Sequence, residues 1–194
     1  MAVRTVRDDD VAPLAVTLAR AFEDDPVTAW VYANASSRVK WSSRFFEWQM
    51  RRLLPQDATW TTDDRAGAAI WALPGRWREG PMDMVRLFRA TLLGVIPQLP
   101  RVLKGLGQVE ARHPVGLHLY LAILGVDPGR QGNGLGSALL APGLELCDRE
   151  VLPAYLETGK ERNVAFYARH GFRVTEELRL PNGPPVWLMW RDPA

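Results

Sequence analysis

Cysteine is nearly absent from the chain: Cys147 stands alone among 194 residues. One thiol excludes an internal disulfide and any zinc site built from clustered cysteines. The three histidines, His113, His118 and His170, show no His-x-x-x-His spacing, so no metal is expected. Long apolar runs are missing too. The longest stretches free of Asp, Glu, Lys and Arg are His113 to Val126 and Gln131 to Leu144, 14 residues each. About 18 apolar residues are needed to cross a bilayer, so no membrane association is expected. Asp8, Asp9 and Asp10 occupy the place where a secretory signal would carry its apolar core, and the expectation is a cytoplasmic protein. Lysine is scarce, three residues against 21 arginines, and no run of basic residues marks a nucleic-acid arm.

What remains is a composition of 47% hydrophobic and 24% charged residues with a net charge of +2, which is that of a globular chain able to bury a core. No repeat or low-complexity linker divides it, so residues 1–194 read as one domain. Val3 to Val6 reads as a strand, followed by a helix on which Val11, Leu14, Ala15, Leu18, Ala19 and Phe22 recur at helical spacing. Asp8 to Asp10 suit the start of that helix, and Asp24-Asp25-Pro26 its end. A second helix is expected from Ser37 to Leu54, and a strand hairpin over Ala58 to Thr62 and Ala66 to Leu73. Residues 80–108 read as a helical insertion broken by Gly94, Pro97 and Pro100.

Leu117 to Val126 is almost continuously apolar, the pattern of a central strand covered on both faces. A turn at Asp127-Pro128-Gly129 leads into a helix through Leu139, Leu140, Leu144 and Cys147, which Pro142 should kink or split. Ala154 to Glu157 predicts a further strand, and Thr158 to Glu161 a capping box for a helix that ends at Gly171. Phe172 to Leu180 and Val186 to Trp190 close the chain as a hairpin around Pro181-Asn182-Gly183.

The segment Gln131-Gly132-Asn133-Gly134-Leu135-Gly136-Ser137 joins the buried strand to a helix. At such a junction several backbone N–H groups point outward with the positive end of the helix dipole behind them, an arrangement that binds phosphate. Its spacing is neither the dinucleotide fingerprint nor a nucleoside-triphosphate loop. A tight packing turn is the other use of such glycines.

The spacing Gln131-x-x-Gly134-x-Gly136 resembles the acyl-coenzyme A signature of the GNAT acyltransferase superfamily. Downstream, Asn163, Phe166-Tyr167 and Gly171-Phe172 resemble that superfamily's second motif. The likeness covers residues 117–190. The segments Gly134 to Ala138, Leu140 to Leu144 with Pro142-Gly143, Leu156-Glu157-Thr158 and Phe166-Tyr167 are also similar to the puromycin N-acetyltransferases and their actinobacterial relatives. The resemblance implies an α/β (α+β) fold with a mostly antiparallel central sheet flanked by helices. It also implies acetyl-coenzyme A as cosubstrate, with no metal, and a primary amine of a small molecule as acceptor.

The same resemblance implies roles for individual residues. Backbone groups of Leu124, Gly125 and Val126 would meet the pantetheine arm and the thioester carbonyl, and Gln131 to Ser137 the pyrophosphate. Asn163 would contact coenzyme A. Tyr167, four residues on and on the same helix face, would protonate the departing thiolate. For the general base, Glu157 is one candidate; His118 is another, although it stands at the far end of the central strand and suits a structural role. His170, at a helix carboxyl terminus, reads as a dipole partner. Asp24, Asp25, Trp30 and Tyr32 follow the first helix, and a carboxylate beside aromatic rings suits a cationic or aromatic amine. A different acyl group, a protein amine as acceptor, and a coenzyme A-binding sensor without turnover are the competing functions. A monomer and a homodimer are equally compatible with the chain.

Overall fold

The computed structural model describes residues 2–194. Among the described residues, seven strands form one sheet in the order β1-β2-β3-β4-β5-β7-β6. They are β1 (Val3–Thr5), β2 (Thr59–Thr62), β3 (Gly67–Ala72), β4 (Leu119–Val126), β5 (Ala154–Thr158), β6 (Arg173–Arg179) and β7 (Pro185–Arg191). Every neighbouring pair is antiparallel except β4 and β5. Those two are parallel, and α6 (Leu135–Arg149) makes the crossover between them. This is the mixed, mostly antiparallel α/β sheet that the family resemblance implies.

Two helical layers cover the sheet. On one face α1 (Val11–Ala21) and α3 (Ala35–Leu53) bury Leu14, Leu18, Phe46 and Met50 against Ile70 and Ile123. On the other, α6 and α7 (Glu161–Ala168) bury Leu139, Leu140 and Tyr167 against Trp71, Leu121 and Leu156. The segment after β3 forms two helices, α4 (Pro81–Val95) and α5 (Leu99–Glu110). α5 closes a third cluster of Trp30, Val102, Tyr155 and Leu188.

Along β4 the side chains do not simply alternate. Leu119 and Leu121 join the α6 face, Tyr120, Ala122 and Ile123 the α1 face, and Leu124 and Val126 the α6 face again. The cause is a bulge: Ile70 pairs with Ile123 but its neighbour Trp71 pairs with Leu121, leaving Ala122 as the extra residue. One inserted residue reverses the facing of everything after it. A continuous apolar run hides such a bulge, because either face accepts any of its side chains.

Two local expectations are corrected. α6 runs unbroken through Pro142. One lost backbone donor is outweighed by the packing of Leu139, Leu140 and Cys147, and Gly143 next to the proline lets the helix lie directly on Trp71. A side-chain Cβ at Gly143 would fall 2.2 Å from the indole. The capping box at Thr158 does not form either: α7 is preceded by Lys160, whose N–H meets the Thr158 hydroxyl at 3.4 Å.

The acidic run does more than favour a helix start. Asp10 is buried, and its carboxylate accepts from Arg4 at 2.6 and 2.9 Å, from Arg65 at 2.6 Å and from the Arg7 N–H at 2.9 Å. Arg4 foremost, then Arg65, holds its pKa well below the ordinary carboxylate range. A depressed folded pKa stabilises the fold above the unfolded value near 4, and the contribution is lost as pH falls below that toward the folded value. Asp10→Asn is therefore expected to cost about 2 to 3 kcal/mol at neutral pH, near the low end for a broken buried pair because both arginines keep contact with solvent. Urea unfolding checks this; the gap to the unsubstituted protein narrows below about pH 4.

Candidate acyltransferase site

The site begins with a break in the sheet. β4 and β5 are paired only at Leu119–Ala154 and Tyr120–Tyr155. Beyond these pairs the strands diverge, and the edge of β4 at Leu124–Val126 has no strand partner on that side. A cavity of about 390 Å³ lies there, lined by Leu124, Gly125 and Val126, by the glycine loop and by Asn163, Phe166 and Tyr167 of α7.

The glycine loop enters this cavity with its backbone exposed. Gly132 and Gly134 have φ of 80° and 75°, and a Cβ on either would meet nothing within 4 Å. Gly134 directly precedes α6, so its left-handed backbone turns the first amides of a 15-residue helix toward the cavity. Gly136 has another role, since a Cβ there would come 3.3 Å from the Phe166 ring. It allows α6 and α7 to approach. Gln131 donates from its side chain to the Val126 carbonyl at 3.0 Å and so ties the loop to the end of β4. Leu135 is buried and, with Gly136 and Ser137, lines the cavity. Asn133 does not line it: its side-chain amide reaches the carbonyls of Arg130 and Gln131 at 3.4 Å and braces the loop.

α7 contributes two side chains from one face. Asn163 donates to the Thr158 hydroxyl at 3.3 Å. Tyr167 packs against Phe166 and Phe172, with ring centroids 5.1 and 5.9 Å away. Burial, and then the nearby Asp25 carboxylate, push its pKa above the usual phenol value. The phenol is therefore fully protonated at neutral pH.

Asp25 lines the same cavity. It caps α2 (Pro26–Val31), accepting from Val27 N–H at 3.0 Å and Thr28 N–H at 2.9 Å. The residue is 6% exposed, and burial raises its pKa. The other acceptor candidates sit elsewhere. Asp24 is exposed and pairs with Lys160 and Arg162. Trp30 is packed beneath α5, with its indole N–H on the Pro181 carbonyl at 3.2 Å. Tyr32 is buried, its hydroxyl bonded to Thr91. The reason is α2 itself: where the sequence suggests a connection, a short helix turns these rings into the core.

Glu157 also lies outside the cavity. It shares a sheet face with Tyr155, beneath α5, whereas Leu156 and Thr158 face α6 and α7. His118 is buried beside it, and burial lowers its pKa. His170 is not a dipole partner. Its Nε2 meets the Ser137 hydroxyl at 2.9 Å, and burial, then Arg169, lower its pKa, so the ring is neutral. Lys160, Arg162 and Arg169 line the cavity as well and give it a cationic rim. Motif spacing does not single them out, although basic residues flanking the helix of a suspected anion site are a usable signal.

Among the described residues no cluster of His, Cys, Asp and Glu could hold a metal ion, and no helix is long and apolar enough to cross a membrane. Residues 101–174, which include β4, the glycine loop, β5 and α7, match the family model described as an acetyltransferase (GNAT) domain. An uncharacterised N-acetyltransferase of Schizosaccharomyces pombe is 27% identical over all of this chain and 84% of its own length. A mycothiol acetyltransferase of Kineococcus radiotolerans is 32% identical over 66% of this chain but only 43% of its own. The crystal structure of "histone acetyltransferase HPA2 and related acetyltransferase" from Corynebacterium glutamicum superimposes with a TM-score of 0.72 at 24% identity, covering 99% of this chain and 96% of that one. The matched segment thus spans the glycine loop and α7 and is similar to the GNAT acetyltransferase domain, and the whole chain shares the fold of the Corynebacterium glutamicum structure.

Proposed function

We propose that this protein is an acyltransferase that moves an acetyl group from acetyl-coenzyme A to the primary amine of a small molecule, by direct attack of the amine on the thioester. The observation that carries the reading is the cavity between the diverging strands, where the amides at the start of α6, the open edge of β4 and the Tyr167 phenol meet. The residues fit the cosubstrate. The loop from Gln131 to Ser137 offers backbone donors and the rim offers Lys160, Arg162 and Arg169 to a pyrophosphate. Main-chain groups at Leu124–Val126 would polarise the thioester carbonyl, Asn163 would hold the pantetheine arm, and Tyr167 would donate its proton to the sulfur as the C–S bond breaks. Glu157 would take the proton from the amine, directly or through water.

On this reading residues 1–194 work as one cytoplasmic domain, with 80–108 as an insertion and without metal, nucleic acid or membrane. A buried carboxylate at Asp25, beside the phenol, favours a cationic acceptor, and the likeness to the puromycin N-acetyltransferases supports an aromatic one. Free-thiol release from acetyl-coenzyme A across a panel of amines that includes puromycin tests the reading. Release with one class of small amine is expected. Tight cofactor binding with no release from any amine would mark a sensor instead, and release only with a protein or another acyl group would replace the donor or the acceptor.

Asp25→Asn keeps a side chain able to cap α2 and removes only the charge. It is expected to raise the acceptor's KM several-fold and to spare that of acetyl-coenzyme A, because lost uniform binding appears in KM first. Steady-state kinetics with both substrates varied gives the answer. Asp24→Asn, whose exposed side chain lies outside the cavity lining, should spare the acceptor's KM.

A further inference from the structure

Behind Glu157 lies a cluster of titratable side chains that the cavity does not use: His113, just past α5, His118 and Tyr120 of the β4 segment, and Tyr155 of β5. His113 Nε2 and His118 Nε2 are 2.9 Å apart, and His118 Nδ1 is 2.7 Å from the Gly116 carbonyl. These two contacts assign the protons. A carbonyl only accepts, so His118 Nδ1 carries its proton, and burial keeps that ring neutral. Its Nε2 is then a lone pair, and His113 Nε2–H must donate to it. Neutral His113 is left with a lone pair on Nδ1.

That lone pair faces Glu157 Oε1 at 3.6 Å, beyond hydrogen-bond length. Two acceptors thus oppose each other across a gap that one proton would close. Both side chains are largely buried, at 3% and 13% exposure. Trp77 stacks on His113 with centroids 3.6 Å apart, and Tyr155 and Tyr120 meet its edge. Tyr120 and Tyr155 turn their hydroxyls toward Glu157, and the Tyr155 hydroxyl is buried without a well-formed hydrogen bond. The two other carboxylates nearby already have cationic partners. Glu79, ahead of α4, pairs with Arg52 at 3.6 Å, and Glu176 of β6 with Arg112 at 2.6 Å. Glu157 stands on β5 beyond its last pairing with β4, so its backbone lies where the strands part, while its side chain is on the far sheet face from Tyr167 and outside the cavity lining.

We propose that Glu157 and His113 form a two-acceptor proton site that receives the proton leaving the attacking amine, with His118 fixing the tautomer of His113. The proposal rests on the acetyl-transfer reading and deepens it. As the new C–N bond forms and the C–S bond breaks, the amine nitrogen gives one proton to Glu157, which shares it with His113 Nδ1. Tyr167 gives one proton to the sulfur. Afterwards the pair returns one proton to solvent and Tyr167 takes one up, so the account balances. His113 is a positioning residue: it acts through Glu157, strengthening that carboxylate as a base.

The test uses 15N-histidine NMR on the free protein and kinetics on the enzyme. In the resting protein His113 should be the Nε2–H tautomer and His118 the Nδ1–H tautomer. Glu157→Gln should weaken proton binding at His113 by on the order of tenfold or more, the effect of removing a neighbouring opposite charge. In turnover, His113→Phe keeps the ring stacked on Trp77 and removes both nitrogens. It should lower kcat by about tenfold or more, shift the acid limb of the pH profile downward and leave the KM of acetyl-coenzyme A unchanged. An Nδ1–H tautomer at His113, a His113 titration indifferent to Glu157→Gln, or a His113→Phe pH profile matching the unsubstituted enzyme would overturn the pair. The NMR measurement needs no acceptor, so failure of every amine to release thiol counts against the acetyl-transfer reading and is told apart from failure of the pair.

Discussion

Tyr167→Phe is expected to lower turnover by about 100- to 10,000-fold, the usual worth of a positioned general acid, while acetyl-coenzyme A binds as before. The substitution removes a hydroxyl and leaves the ring where it is, between Phe166 and Phe172. The fold should therefore survive, and an unchanged thermal transition would show it. What is lost is specific. Burial and the Asp25 carboxylate keep the phenol protonated well past its ordinary pKa near 10, so in the proposed reaction it would hold a proton for the departing thiolate across the physiological range. A basic limb in the pH profile below about pH 10 must then come from another group. Single-turnover measurements at saturating acceptor separate chemistry from product release. A chemical step within a factor of about two of the unsubstituted enzyme would remove Tyr167 from the mechanism.

Gly134→Asp should weaken acetyl-coenzyme A binding by about a hundredfold or more, since it sets a negative charge against the site proposed for the pyrophosphate. Gly134 has φ of 75° and open space around it, so an added side chain meets no atom. Asp enters the left-handed region more readily than most residues, at a cost of about 1 kcal/mol. The variant should fold. Gly134→Asn provides the control, since it imposes the same backbone cost without the charge. Calorimetric titration of both variants is expected to show a modest loss for Asn and a large one for Asp. Equal losses would assign the effect to the backbone, and no loss in either would move the cosubstrate away from this loop.

Local chemistry accounts for what is legible in the order of residues. Helical spacing from Val11 to Phe22 marks α1, and the 14-residue uncharged stretch ending at Val126 marks β4. The turn residues Pro181-Asn182-Gly183 mark the last hairpin, because each such signal depends on neighbours within a few positions. The glycine loop is legible for the same reason: the anion site proposed at this helix start needs only backbone amides and residues small enough to expose them. Asn163 and Tyr167 fall on one face by their spacing alone.

The remaining features depend on contacts between distant segments. The bulge at Ala122 arises in the pairing of β4 with β3, and an all-apolar strand carries no mark of which residue is extra. The opening between β4 and β5 depends on where pairing stops, which no stretch of either strand records. Trp30 and Tyr32 have the composition of acceptor contacts, yet α2 turns them inward, since aromatic rings serve a core and a binding site equally well. Glu157 and His113 are 44 positions apart in the chain, and only the packing of the segment after α5 against β5 sets their nitrogen and oxygen face to face. Residue order thus dictates most elements, the exposed backbone of the glycine loop and the shared face of Asn163 and Tyr167, because these follow from torsion preferences and short periodicities. Which carboxylate joins the cavity and which joins the histidines is settled only by long-range packing, because a side chain's proton affinity and partners are set by whatever the fold places around it.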